Sequence, residues 1–175
     1  MSQAVLDSSL RVIGANEFRL FRDLIHRHTG IWLRDGKQVM LASRLSRRLR
    51  THQLTSFADY YRYLETVPDS GSELGELINC VTTNKTSFFR EPHHFRFLSE
   101  TLVPETMARA RGTAGVAAGN PALRIWSAAC STGEEPYSIA ITLLESQIRW
   151  HWPASPSGMR IVASDIDTSV LEKAA

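Results

Sequence analysis

The sequence predicts an α/β chain: an all-α bundle at the front, followed by the first β-α-β part of an open parallel sheet. Three observations predict it. Four stretches before residue 82 repeat apolar residues at helical spacing. Residues 123–145 read as a short apolar strand, a turn of small residues and a helix, and residues 159–164 read as a second buried strand.

The front comes first. Asn16 is a candidate N-cap for a helix carrying Phe18, Phe21, Leu24, Ile25 and His28 on one face, and Gly30 is placed to close it. Lys37 to Arg50 sets Leu41, Leu45 and Leu49 four apart, with Arg44, Arg47, Arg48 and Arg50 outside that stripe. Ser56 and Asp59 resemble a capping box opening Phe57 to Glu65, and Pro68 to Gly71 reads as a turn. Ser72 then caps a helix with Leu74, Leu77, Ile78 and Val81. Four short amphipathic helices make a small bundle.

Val81 to Glu91 crowds threonines, a serine and an asparagine around Lys85, with Phe88 and Phe89 beside them. It reads as a loop pinned by two buried aromatics and presenting polar side chains. Pro92 fits the first position of a helix running through Phe95, Leu98 and Leu102. The adjacent His93 and His94 point to different sides of such a helix, so no metal site is expected. Arg111 to Pro121 is Gly-rich and aperiodic, a linker before the strand at Leu123.

Leu123 to Ala128 is the first strand, and Ala129 to Gly133 form a turn in which small residues let a ligand approach the backbone. The helix beyond has an apolar face at Ile139, Ile141, Leu143 and Leu144. Glu134 and Glu135 occupy its first turn, where the helix dipole favours a carboxylate but a phosphate would be repelled. The turn therefore suits a ligand with hydroxyls or positive charge, and no Gly-x-Gly-x-x-Gly of a dinucleotide site occurs. Trp150, Trp152, Pro153, Pro156 and Gly158 form a second loop. The strand Met159 to Ser164 ends at Asp165, placed to accept hydrogen bonds from ribose hydroxyls, and at Asp167, a turn or capping residue before the helix near Val170.

Composition narrows the class. With 175 residues, 43% hydrophobic and 22% charged, the chain can bury a core as an ordinary globular protein. Cys80 and Cys130 lack metal-ligand spacing, the amino terminus lacks a basic segment followed by an apolar run, and no stretch approaches the roughly 20 apolar residues of a membrane span. A cytoplasmic protein without direct membrane insertion is expected. The net charge of +2 hides an asymmetry: residues 1–67 hold 11 Lys/Arg and 6 Asp/Glu, residues 68–175 hold 9 and 12. The basic helix is either a solvated arginine face or a surface for an acidic helical partner. A nucleic-acid role is disfavoured, since no aromatic-interleaved basic patch or zinc motif is present.

Three motifs, Thr82-Thr-Asn-Lys-Thr-Ser-Phe-Phe-Arg-Glu91, Ser127-Ala-Ala-Cys-Ser-Thr-Gly-Glu-Glu-Pro-Tyr-Ser138 and Ala163-Ser-Asp-Ile-Asp-Thr168, together resemble the chemotaxis receptor methyltransferase family, CheR. They occur in that family's order, and the helical front is similar to its N-terminal domain. The resemblance implies an S-adenosylmethionine-dependent protein-glutamate O-methyltransferase, with S-adenosylhomocysteine as product and the cytoplasmic helical region of chemoreceptors as substrate. It also implies a Rossmann-like class I methyltransferase sheet, truncated here, with residues 1–80 as a receptor-docking domain, 81–122 as the cofactor-contacting loop, helix and linker, and 123–175 as an incomplete methyltransferase domain.

Carried onto these positions, the resemblance makes Asn84, Thr86 and Arg90 cofactor contacts, with Glu134 or Glu135 as the acidic position after the glycine and Asp165 as the acidic end of the second strand. Arg90, able to pair with the cofactor carboxylate, is the candidate catalytic residue, and Arg44, Arg47 and Arg48 match the receptor-docking region. A substrate glutamate is already ionised at neutral pH, so positioning and exclusion of water should supply most of the catalysis. Later strands and a small inserted β subdomain of the family are absent from the sequence. A fragment of the enzyme is therefore expected to be unstable alone, to bind cofactor weakly, or to pair as a dimer by strand exchange. A non-catalytic receptor-binding module using only the basic helices is the alternative.

Overall fold

The computed structural model describes residues 12–66, 72–112, 123–151 and 159–175. The expected turn at 68–71, the part of the linker from residue 113 on, and the loop 152–158 lie outside the described residues. Two compact units divide between Thr83 and Asn84.

The first unit is built from α1 (Ala15–Thr29), α2 (Gln38–Thr51), α3 (Phe57–Thr66) and α4 (Ser72–Val81). Its first helix starts two residues earlier than the Asn16 cap would place it: Gly14 is the N-cap, and Glu17 Oε2 accepts the Gly14 N–H at 2.7 Å. Gly30 ends the helix in the left-handed region at φ 73°, its N–H donating to His26 O at 2.8 Å. Ser56 caps α3 as its sequence suggests, accepting the Asp59 N–H at 3.1 Å. Phe21, Ile25, Leu41, Leu45, Leu49, Tyr60 and Leu77 are fully buried in one core. Phe21 stacks on Tyr60 at 5.9 Å and meets Tyr61 edge-on at 5.5 Å. His28, expected on the apolar face, is exposed.

The second unit opens with an irregular segment leading to α5 (Pro92–Phe97), a π-helical turn (Leu98–Leu102) and α6 (Val103–Gly112). Pro92 occupies the first turn as expected. Then follow β1 (Leu123–Ala128), α7 (Glu134–Trp150), β2 (Met159–Ser164) and α8 (Thr168–Ala174). The strands pair in parallel, from Leu123 opposite Met159 to Ala128 opposite Ser164. A helical front followed by a partial α/β unit is the fold class that the sequence predicts.

Two packing details differ from the sequence reading. One face of the sheet buries Leu123 and Ser127, while Trp126 on the other face is 71% exposed. On α7, Leu143 is buried as expected, but Ile141 and Leu144 are exposed, and the buried face runs instead through Ser138, Thr142 and Ser146. Each of these hydroxyls donates to the carbonyl four residues back, at 2.6, 2.8 and 2.7 Å. A hydroxyl satisfied within its own helix can be buried without an external partner, which hydropathy does not reveal.

Candidate functional site

The β1–α7 loop is held in an uncommon backbone. Ala129 and Ser131 have φ of 64° and 49°, a conformation that costs non-glycine residues of order 1–3 kcal/mol and persists only when neighbours enforce it. They flank Cys130, whose N–H donates to Ser164 O at 3.0 Å, tying the loop to the end of β2. Burial, and then the nearby Asp165 charge, push the Cys130 thiol pKa up, so it is a packed thiol. Gly133 caps α7 at φ 99°, and a Cβ there would lie 3.2 Å from the Tyr137 ring and 3.3 Å from Ala174. Glycine is required at this position both by the backbone angle and by the space.

The two glutamates after Gly133 are held differently. Glu134 Oε2 accepts from Thr132 Oγ1 at 2.6 Å, within the turn itself. Glu135 Oε1 accepts from Ser127 Oγ at 2.6 Å, which fastens its carboxylate beside the carboxyl end of β1. Ser127, Ser131, Thr132 and Ser138 all orient parts of this region, and sequence reasoning assigned none of them a role. Their only signal was an unusual density of small hydroxyl residues in 127–138.

At the end of β2 both oxygens of the half-buried Asp165 are engaged: Oδ2 accepts the Ser131 N–H at 2.7 Å and Oδ1 the Asp167 N–H at 2.9 Å. Asp167 is the N-cap of α8, with Oδ1 accepting from Ser169 N and Oγ at 2.9 and 2.6 Å. Asp167 Oδ2 accepts from Asn84 Nδ2 at 2.5 Å, and Ser131 Oγ donates to the Asn84 carbonyl at 3.0 Å. Asn84, Ser131 and Asp165 are thus joined by hydrogen bonds across three loops.

Downstream of Asn84, Thr86 is half-buried and Arg90 is exposed, its Nη1 donating to Lys85 O at 2.6 Å. The Phe89 N–H donates to Ser138 Oγ at 2.9 Å, which docks the segment on the first turns of α7. The expectation that Phe88 and Phe89 are buried is corrected: they are 58% and 42% exposed, and Phe89 meets Phe95 edge-on at 5.4 Å. The loop is pinned by its backbone and by one ring face.

In the helical unit, the three arginines grouped by sequence part company. Arg48 is turned inward: its Nη2 pairs with Glu73 Oε2, its Nε donates to Glu73 Oε1 at 3.0 Å, and its Nη1 lies 3.3 Å from Glu76 Oε2. Arg44 donates through Nη1 to the carbonyls of Val81 and Thr82, and through Nη2 to Thr83 Oγ1 at 2.8 Å, closing the carboxyl end of α4. Arg47 is exposed. Arg44 and Arg48 lie one turn apart, and it is the position of α4 against that side of the helix that draws both inward. Arg44 and Arg48 therefore spend hydrogen bonds inside the helical unit, whereas Arg47 is turned to the surface.

Among the described residues, no three His, Cys, Asp or Glu side chains gather as a metal site, and no helix is long and apolar enough to cross a membrane. His93 and His94 are exposed, with their rings in edge contact at 4.1 Å.

Comparison with known proteins places both units. Residues 16–82 match the family model described as the CheR methyltransferase all-alpha domain, and residues 84–175 match the CheR methyltransferase SAM binding domain. The chain is 46% identical over 156 residues to a Pseudomonas aeruginosa protein named chemotaxis protein methyltransferase 2, covering 89% of this chain and 49% of that protein. It is 45% identical over 157 residues to the Escherichia coli chemotaxis protein methyltransferase, covering 90% of this chain and 48% of the relative. A Vibrio cholerae relative, also named chemotaxis protein methyltransferase 2, is 39% identical over 165 residues, covering 94% and 52%. The chain spans about half the length of the curated relatives it matches.

Proposed function

The chain belongs to the CheR methyltransferase family, and on that premise we propose that it carries the docking unit and the first part of the cofactor site of an enzyme that methylates glutamate side chains of chemoreceptors. The observation that carries this reading is the pair of carboxylates at the carboxyl ends of two adjacent parallel strands. Glu135 is fixed by Ser127, and Asp165 is fixed by the Ser131 and Asp167 amides.

The donor set fits S-adenosylmethionine. A sulfonium and an ammonium are balanced by carboxylates, and ribose hydroxyls donate to the carboxylate at the end of the second strand, whereas a pyrophosphate would meet two negative charges. When bound, the cofactor supplies a methyl group already activated by the sulfonium. The residues of this chain bind and orient. In this reading Glu135 takes the cationic end, with Glu134 beside it, and Asp165 takes the ribose. Arg90 offers a guanidinium to the cofactor carboxylate, with Asn84 and Thr86 in the same segment. The substrate carboxylate needs no base, because its unperturbed pKa of about 4.3 leaves it ionised at neutral pH.

The basic helical unit is the proposed docking surface for the acidic cytoplasmic helices of the receptors, with Arg47 among its exposed cations. Calorimetric titration of the protein with S-adenosylhomocysteine, paired with methyl transfer to a receptor fragment, tests the reading. Receptor binding without any cofactor binding would replace it with a non-catalytic docking module.

A further inference from the structure

Arg90 stands between two residues in left-handed backbone. Phe89 has φ 52° and Glu91 φ 59°, a conformation that a non-glycine residue keeps only where its neighbours enforce it. At Phe89 the enforcing contacts come from α7 and α5: the N–H donates to Ser138 Oγ at 2.9 Å, and the ring meets the buried Phe95 edge-on at 5.4 Å. Ser138 is fully buried and donates its own hydroxyl hydrogen to Glu134 O at 2.6 Å. With its hydrogen committed in that direction, the oxygen turns its lone pairs to the Phe89 amide. One hydroxyl thus joins the segment that carries Arg90 to the start of α7, where Glu134 and Glu135 stand.

We propose that Ser138 is a positioning residue for Arg90. By holding Phe89 in its strained conformation, it fixes the span between the Arg90 guanidinium and the carboxylates of α7. A zwitterionic amino-acid end, with a carboxylate and an ammonium on one carbon, has to match that span. This role rests on the reading of Arg90 as the partner of the cofactor carboxylate. Thr142 and Ser146 line the same buried face of α7 and bond to the carbonyl four residues back, as Ser138 does. Among the described residues, Ser138 is the one of the three whose hydroxyl also receives an amide from another segment. Bonding within the helix is therefore enough to explain burial of Thr142 and Ser146, and the second bond of Ser138 calls for a further role. The hydrogen bonds that Arg90 itself makes, from its N–H to Ser87 O at 3.3 Å and from Nη1 to Lys85 O at 2.6 Å, stay inside its own segment and do not fix it to α7. Orientation against the glutamates comes instead through the neighbouring amide. The two bonds in line through the Ser138 hydroxyl also polarise each other, which stiffens the link.

The test compares Ser138→Ala with Ser146→Ala. Both remove a hydroxyl from the same buried face, and alanine suits a helix interior. Amide hydrogen exchange and titration with S-adenosylhomocysteine are measured on the protein and on both variants, and the titration is repeated with Ser138→Ala placed in an Arg90→Ala background. Ser138→Ala should speed exchange of the Phe89 amide and weaken the titration, each by about tenfold, the effect of leaving a buried donor without its acceptor. Ser146→Ala should change neither. In the Arg90→Ala background the further loss should be no more than about twofold, because the group through which Ser138 acts is already gone. Should Arg90→Ala bind too weakly to titrate, Arg90→Lys takes its place.

Equal losses from Ser138→Ala with and without Arg90 overturn the positioning role, since a merely structural hydroxyl costs the same in both backgrounds. Unchanged exchange at Phe89, or a loss of affinity in Ser146→Ala that matches Ser138→Ala, overturns it as well. A parent protein that gives no titration signal removes the cofactor reading and this role with it, whereas a parent that binds and shows additive losses removes the role of Ser138 alone. Should Ser138→Ala fail to fold, Ser138→Cys keeps the side-chain shape with a weaker acceptor. The same exchange gain and the same dependence on Arg90 are then expected, and their absence overturns the proposal.

Discussion

Ser127 Oγ donates to Glu135 Oε1 at 2.6 Å, so the last buried residue of β1 sets the direction of the second residue of α7. Glu134 takes its hydrogen bond from Thr132 inside the turn and, among the described residues, has no such link to the strand end. The adjacent carboxylates are therefore not equivalent. Glu135→Gln is expected to weaken S-adenosylhomocysteine binding by about ten- to a hundredfold, the cost of removing a charge-assisted hydrogen bond. Glu134→Gln should weaken it several-fold less. Isothermal titration of both variants decides; a larger loss at Glu134 would reverse the assignment.

Arg90 and Arg109 give a matched pair for the methyl-transfer assay. Arg109 projects from α6 and lies 3.6 Å from Glu105 one turn away, an exposed pair that contributes little to stability. Arg90 sits in the segment docked on α7, and its Nη1 donates to Lys85 O, one hydrogen bond of a guanidinium that carries five donors. Arg90→Ala should lower kcat/KM by about tenfold or more, while Arg109→Ala should leave it nearly unchanged. Equal losses would count against the site.

Much of this was legible because it depends on local pattern. The stripe Leu41, Leu45, Leu49 and the cap Ser56 recur as a buried face and a helix start, and the strand at Leu123 to Ala128 has the bounds its apolar run suggests. What hid was tertiary. Nothing local distinguishes Arg48, which turns toward Glu73, from its exposed neighbour Arg47. The seriated hydroxyls of α7 are polar by composition but buried, because each bonds within its own helix. Asp167 read as a turn residue, and its cap is present. Its bond to Asn84, 83 residues away in the chain, has no sequence signal.

Arg47 and Arg48 should therefore respond differently to the same truncation. Arg47→Ala removes an exposed cation and is expected to raise the KM for a receptor fragment several-fold, more at low salt, with the melting temperature unchanged. Arg48→Ala leaves Glu73 buried with one partner fewer and should lower the melting temperature by several degrees or more. Parallel receptor kinetics and thermal scans separate the two roles. A stable Arg48→Ala protein with a raised KM would restore the sequence grouping.

Glu73 makes the helical unit acid-sensitive. Burial disfavours its charge, but hydrogen bonds from Arg48, Tyr60 and His52 outweigh burial and hold its pKa below the usual glutamate value. The same contacts act in reverse on Tyr60, where burial first and then the Glu73 carboxylate push the phenol pKa up. A carboxylate with a depressed folded pKa binds protons more readily when unfolded. Its stabilisation is therefore complete above the ordinary glutamate value of about 4.3 and is lost as pH falls through the folded value. Glu73→Gln should cost about 3 kcal/mol at neutral pH, since Arg48 is then left partly buried with Glu76 as its remaining ionic partner among the described residues. It should also remove part of the stability loss below about pH 4. Denaturant unfolding followed by far-UV circular dichroism at pH 7 and pH 3 tests both effects. The gap between parent and variant should narrow at the lower pH, and a gap that stays constant would mean that the cluster does not titrate with folding.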